Sequence, residues 1–319
     1  MLPPMNQPLR FEPFLRPMPW GGRRIARFLG KNLPTNEAYG ESWEVSDHAV
    51  HHSRLANASG FGVTLRQLMS ERKSELLGPA AERYGVFPWL IKILDASDWL
   101  SVQVHPDEKA LQTLSPREFA KTEAWLVLDA GPSSRVYAGL KPRVGPRELR
   151  QALDRGAVAD CLHAFTPRAG DFVFLPAGAV HAVGGGVLLA EIQQTSDATF
   201  RLFDWNRKDA QGRSRQLHVD ESFASIHWDQ GPIEPIRAET MAGPLVKSPY
   251  FVIEWASFTK SAVLGGQGVL QAWIVTAGTG RFENGEFFMP GDVWLLPASM
   301  GEMSLSIDKP ASGLLCTLP

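Results

Sequence analysis

The sequence predicts a mainly β protein with helical insertions, assembled from two copies of one β-unit. Two observations lead to this. Of 319 residues, 29 are Gly and 24 are Pro, and these turn formers separate short alternating apolar runs, as in a chain of many brief strands. The chain also repeats itself: residues 169–177 align without gaps on 290–298, matching Gly170 with Gly291, Asp171 with Asp292, Leu175 with Leu296, Pro176 with Pro297 and Ala177 with Ala298. Upstream, Glu123-Ala124-Trp125-Leu126-Val127 finds a counterpart in Gln271-Ala272-Trp273-Ile274-Val275, in the same order. A repeat of this kind signals duplicated architecture. Gly170 follows Trp125 by 45 residues and Gly291 follows Trp273 by 18, so the first copy carries about 27 more, consistent with a helical insertion.

Taken in order, the proline-broken opening through Phe14 reads as extended chain or edge strand. Trp20-Gly21-Gly22 is a turn, and residues 40–48 alternate like a strand. Thr64 to Gly78 reads as one helix: Thr64 caps it, Leu65, Leu68, Leu76 and Leu77 keep its period, and Gly78 ends it. Trp89 to Leu94, Leu100 to Pro106 and Lys121 to Leu128 are strands, with a short helix starting at Pro106-Asp107-Glu108. Pro146 to Phe165 reads as two helical pieces around Gly156. Strands return at 171–175, 188–194 and 199–205, and His218 to Ile226 is a further helix. Gly231-Pro232-Ile233-Glu234-Pro235 is the best linker, dividing the chain into residues 1–230 and 231–319.

Composition narrows the function classes. With 32 basic and 34 acidic side chains the formal charge is −2, which gives no electrostatic reason to expect nucleic acid or an anionic membrane as partner. Cys161 and Cys316 form neither a disulfide framework nor a thiolate zinc motif. No charged and then apolar leader and no run of about 18 apolar residues occurs. A small-molecule partner, a cytoplasmic setting and a monomer or weak homo-oligomer are the expectations.

Two stretches carry chemistry. In Leu100-Ser101-Val102-Gln103-Val104-His105-Pro106, strand alternation turns Gln103 and His105 to one face and Val102 and Val104 to the other. An amide oxygen and an imidazole so placed can share one cation, although the pattern also fits packed core residues. The second stretch runs from Ala169 to His181. On 121–128, Lys121, Glu123 and Trp125 share a face, as do Thr199, Arg201 and Phe203. In the second copy Glu123 is replaced by Gln271, and Glu302 falls opposite His181, so only the first copy keeps a metal-binding set.

The pattern Gly170-x5-Pro176-x-Gly178-x2-His181 resembles the second motif of the cupin superfamily. The first motif is atypical, with Gln103-x-His105 in place of His-x-His and a glutamate 18 residues after His105. In this, and in Trp20-Gly21-Gly22, residues 40–44, 88–92, 101–106, 121–123, 176–182 and 199–205, the chain is similar to the short bacterial form of the type I mannose-6-phosphate isomerase family. The resemblance implies two cupin-type (jelly-roll) β-barrels, the first metal-binding and the second degenerate. It implies one Zn²⁺ held by Gln103, His105, Glu123 and His181, a catalytic arginine at Arg201, and a lysine at Lys121 that handles a sugar-phosphate substrate.

Interconverting mannose 6-phosphate and fructose 6-phosphate through a cis-enediol needs removal of a weakly acidic C–H proton, and an electrophile on the neighbouring oxygens lowers that barrier most. Arg201 suits an enediolate or anionic oxygen. Lys121 beside the cation is expected to have a lowered pKa and to help in proton transfer. A cupin metal-dependent dioxygenase and a non-catalytic sugar-binding cupin are the alternatives. His48, His51 and His52 read as a solvated turn, His163, His218 and His227 as structural residues, and Trp20 as a possible border of the pocket.

Overall fold

The computed structural model describes residues 2–56, 61–114, 119–208 and 211–319. The protein is mainly β, with three large antiparallel sheets in layers. The middle layer has seven strands in the order Ile236–Arg237, Asp171–Leu175, Glu123–Ala130, Val187–Gln194, Trp89–Ala96, Tyr39–Val45 and Phe14–Gly22. A five-stranded sheet covers its front: Leu162–Phe165, Val136–Leu140, His181–Val183, Val102–Val104 and Phe200–Phe203. The rear sheet is built around Gln271–Phe282 and Glu302–Thr317.

Strand alternation explains why the middle sheet serves two neighbours. Ala124, Leu126, Leu188, Ala190, Ile192, Ile91 and Ile93 point one way, into one continuous core with Leu270, Ala272, Ile274, Leu295 and Leu314 of the rear sheet. Trp125, Val127, Leu189, Leu94 and Val173 point the other way and pack on Val136, Ala138 and Val183 of the front sheet. A sheet buried on both faces reads as a nearly unbroken apolar run, as Trp89–Ala96 does. The outer face of the front sheet is covered by helices Pro146–Asp154 and Val219–Ser225, whose Leu149, Ala152 and Ile226 environment includes Val102, Val104 and Leu202.

The repeat is exact at the level of strand register. Leu175 lies opposite Glu123 and Val173 opposite Trp125; Leu296 lies opposite Gln271 and Trp294 opposite Trp273. Gly170 and Gly291 both adopt positive φ, 87° and 89°, and their N–H groups donate to Val127 and Val275 O, each at 2.8 Å. Asp171 and Asp292 each accept a backbone N–H three residues upstream. Among the described residues the strand pairings form open sheets, and none closes on itself into a barrel. Among the described residues two strand pairings and one isolated bridge cross the expected boundary at 230: Leu9–Arg10 joins the rear sheet, Ile236–Arg237 joins the middle one, and Gly139 bridges to Pro232.

Three elements differ from expectation. Trp20-Gly21-Gly22, expected as a turn, forms the end of strand Phe14–Gly22, with Gly22 paired to Tyr39. The helix from Thr64 breaks at Arg72 (φ −134°) into Leu65–Glu71 and Lys73–Leu77. The break lets Leu76 and Leu77 both bury, and frees Glu75 O and Leu76 O to accept from Ser299 N and Ala298 N of the rear unit, at 2.9 and 3.0 Å. Residues 162–165, expected to be helical, form a strand on Val136–Leu140, because a long-range partner outweighs the local period.

Candidate active site

The site lies between the middle and front sheets. In the front sheet, Gln103 is directly opposite His181 on one side and Arg201 on the other, so three polar side chains form a row across adjacent strands. Glu123 faces them from the middle sheet. His105 follows strand Val102–Val104 and is turned inward just before Pro106. Its Nδ1 is 2.8 Å from Ala198 O, and His181 Nδ1 is 2.9 Å from Ala179 O. Those carbonyls accept the Nδ1 protons, which turns the Nε2 lone pairs into the site.

Both Nε2 atoms converge on one carboxylate: His181 Nε2 is 3.2 Å from Glu123 Oε1, and His105 Nε2 is 3.4 Å from Glu123 Oε2. The ligand atoms of His105, Glu123 and His181 lie within 4.8 Å of one another, and all three residues are buried. Gln103 joins them, its amide end 3.2 Å from His181 Nε2. Glu123 Oε2 is met by the Lys121 ammonium at 2.9 Å, whereas Oε1 has no hydrogen-bond partner, which is costly for a buried carboxylate oxygen unless a cation takes that place. Two imidazoles, a carboxylate and an amide oxygen are borderline-to-hard donors that suit zinc. The residues therefore fit the metal.

Electrostatics support the same state. Burial, reinforced by Lys121, pushes His105 down to about 4, and burial lowers His181 as well, so both rings are neutral near pH 7, as ligands must be. Burial works against ionisation of Glu123, but the Lys121 ammonium beside it outweighs this and holds the carboxyl well below its usual range. Lys121 Nζ sits 2.9 Å from Glu123 Oε2 and 3.2 Å from His105 Nε2.

The centre opens onto a cavity of about 310 Å³ lined by both signs of charge: Arg16, Lys92, Lys121, Arg201 and Arg215 against Glu41, Glu191 and Asp197, with Met18, Trp20, Leu94 and Leu100 as apolar wall. Across the middle sheet, Trp125, Glu191, Lys92 and Trp43 stand in register. Trp125 Nε1 donates to Glu191 Oε2 at 2.9 Å, leaving Oε1 with only the Lys92 ammonium, 3.5 Å away. Lys92 and Arg16 lie over the Trp43 ring, 5.2 and 4.8 Å from its centroid.

Residues 9–124 match the family model described as phosphomannose isomerase type I, catalytic domain. Mannose-6-phosphate isomerase ManA of Bacillus subtilis is 34% identical over 314 residues, covering 94% of this chain and 96% of its own. The chain belongs to the type I phosphomannose isomerase family. A second relative, the mannose-6-phosphate isomerase of Streptococcus mutans, is 36% identical over 280 residues, 83% of this chain and 87% of its own. The crystal structure of the Bacillus subtilis mannose 6-phosphate isomerase superposes with a TM-score of 0.86 at 27% identity, covering 97% of this chain and 99% of that one.

In this family member the four residues expected as ligands come together, and Arg201, Lys121 and Trp20 line the same cavity. Arg201 is partly engaged: its Nη1 donates to Gln216 O at 2.8 Å, while its buried Nε is unpartnered. Lys121 departs from expectation. Burial acts to lower its pKa, but Glu123 and then Glu191 outweigh it and raise the value above normal, so Lys121 stays an ammonium. The histidines at 48, 51 and 52 lie on a small hairpin outside the cluster, with His51 stacked on Phe14 at 4.2 Å. Sequence reasoning missed Lys92 and Glu191. The available signal was a charged residue at the centre of each of two largely apolar strands, which a two-sided core tolerates only when the charges are paired.

Proposed function

We propose that the chain is a zinc-dependent aldose–ketose isomerase interconverting mannose 6-phosphate and fructose 6-phosphate, with Gln103, His105, Glu123 and His181 as its metal ligands. The observation that carries this is the buried convergence of His105, Glu123 and His181 on one point beside a cationic cavity, in a member of this family. We further read residues 1–230 as the catalytic unit and 231–319 as its degenerate copy, each a jelly-roll of the cupin type. The register shared by the two copies supports that division. Two free, buried cysteines suit a reducing, cytoplasmic setting.

Bound among its ligands, zinc would supply an electrophile for sugar oxygens next to the exchanging proton. The chain's own groups do the rest. Glu191 Oε1, with its partner oxygen oriented by Trp125, accepts the proton from one carbon and returns it to the neighbouring one. Lys121, held charged, donates a hydrogen bond to a sugar oxygen, and the hydroxyl proton passes between the two neighbouring sugar oxygens, so that each proton removed is returned and no protein group changes its charge over the cycle. The Arg201 guanidinium stabilises negative charge developing on the enediolate. Arg16, Lys92 and Arg215 offer cationic seats for the phosphate, and Trp20, Leu94 and Leu100 keep water from the reacting face.

Metal analysis run with a coupled assay on mannose 6-phosphate tests the proposal. One zinc per chain, turnover lost on chelation and turnover restored by zinc are expected. Full turnover after complete removal of metal would overturn it. Bound iron with oxygen uptake would favour the dioxygenase alternative.

A further inference from the structure

His227 does not line the cavity, yet it touches both turns that present the histidine ligands. Its backbone N–H donates to Gly178 O at 3.0 Å, and Gly178 N–H in turn donates to His105 O at 2.8 Å. Next along the chain, Ala179 O takes the Nδ1 proton of His181. The His227 ring lies against Gly178 so closely that a Cβ there would come within 2.4 Å of His227 Cγ. At its far end, His227 Nε2 is 2.9 Å from Asp107 Oδ2, two residues beyond His105, while Asp107 Oδ1 caps the helix Glu108–Leu114 through Ala110 N at 2.7 Å.

One side chain therefore bridges the turn after His105 and the turn before His181. Its own backbone is anchored independently, by the buried Ile226 before it and by Trp228 after it, whose ring packs 5.4 Å from Phe223. We infer that His227 is a positioning residue: with Asp107 it forms a clasp outside the cavity that fixes the spacing of His105 and His181. Groups that orient metal ligands at one remove commonly change metal affinity 10- to 100-fold. A half-exposed pair of this kind adds little to global stability, so the clasp acts on the centre and not on the fold. The inference rests on the metal-site reading.

The test measures zinc affinity of the metal-free protein by chelator competition, together with its melting temperature, for wild type, His227→Ala, His227→Gln, Asp107→Ser and the double variant His227→Ala/Asp107→Ser. Serine can still cap the helix but is too short to reach His227. The zinc dissociation constant is expected to rise about 10- to 100-fold in His227→Ala and in Asp107→Ser. The double variant should be no weaker than either single one, as for two halves of one interaction, and His227→Gln should recover to within about threefold of wild type. The metal-free melting temperature should move by less than about 4 °C. Unchanged zinc affinity, additive losses, no recovery with glutamine, or a larger drop in the metal-free melting temperature would each overturn the clasp. If wild type itself bound no zinc, the metal centre would fall with it, which separates the two failures.

Discussion

At the scale of single residues, the centre is a set of groups whose protonation is decided by burial and by one another. Neutral imidazoles, an ionised Glu123 and a charged Lys121 form a mutually consistent state. Glu191 and Arg201 are separate from the ligand set, so their removal should spare the metal. Glu191→Gln is expected to lower kcat by roughly 10²–10⁴, and Arg201→Ala to lower kcat/KM by about 10² or more, both with zinc content unchanged by metal analysis. Loss of zinc along with activity would make them structural. The grouping of Gln103, His105, Glu123 and His181 was legible only through the family motifs that carry them, since the bare Gln-x-His alternation fits packed core residues equally well. Lys92 and Glu191 were not, because only cross-strand register, set by contacts about 100 residues apart, makes them partners.

At the scale of elements, local chemistry was readable where it terminates structure and unreadable where a distant partner decides. Thr64 was legible as a cap, and it makes a capping box with Gln67. Thr64→Ala should cost about 1 kcal/mol, lowering the melting temperature by about 1–2 °C in a thermal scan, with catalysis untouched. The break at Arg72 and the strand at 162–165 escaped the sequence because both depend on hydrogen bonds to segments far along the chain. The register of the duplicated strand pair was legible, since it is written in the same Gly, Asp, Leu and Pro letters twice.

At the scale of the whole molecule, the middle sheet couples the site to both flanking layers, so the ionisation of the centre bears on global stability. His105 titrates at about 4 in the folded chain and at 6.5 when unfolded. Its contribution is therefore complete above about pH 6.5 and is lost as pH falls toward 4, because the unfolded state binds the proton more readily. Glu123, with its lowered pKa, acts in the same direction at lower pH. Urea denaturation of metal-free protein should show stability falling between pH 7 and pH 5, with a total His105 contribution on the order of 3 kcal/mol. A flat or rising profile would contradict the buried neutral state. Metal should raise the denaturation midpoint at pH 7, and acid should weaken that gain as protons compete for the imidazoles.

The rear copy holds Gln271 where the front holds Glu123, buried and donating through its amide to Thr317 Oγ1 at 3.3 Å. Glu302 is exposed where the front copy has His181, and the side chains clustered around Trp273 on the same strand face are apolar. Gln271→Glu would thus set a carboxylate in a dry, uncharged lining, and the variant should keep its proton at neutral pH or destabilise the lobe by several kcal/mol. The duplicate is, in effect, a built-in control: the same scaffold, with the counter-charges missing, tolerates only the neutral isostere.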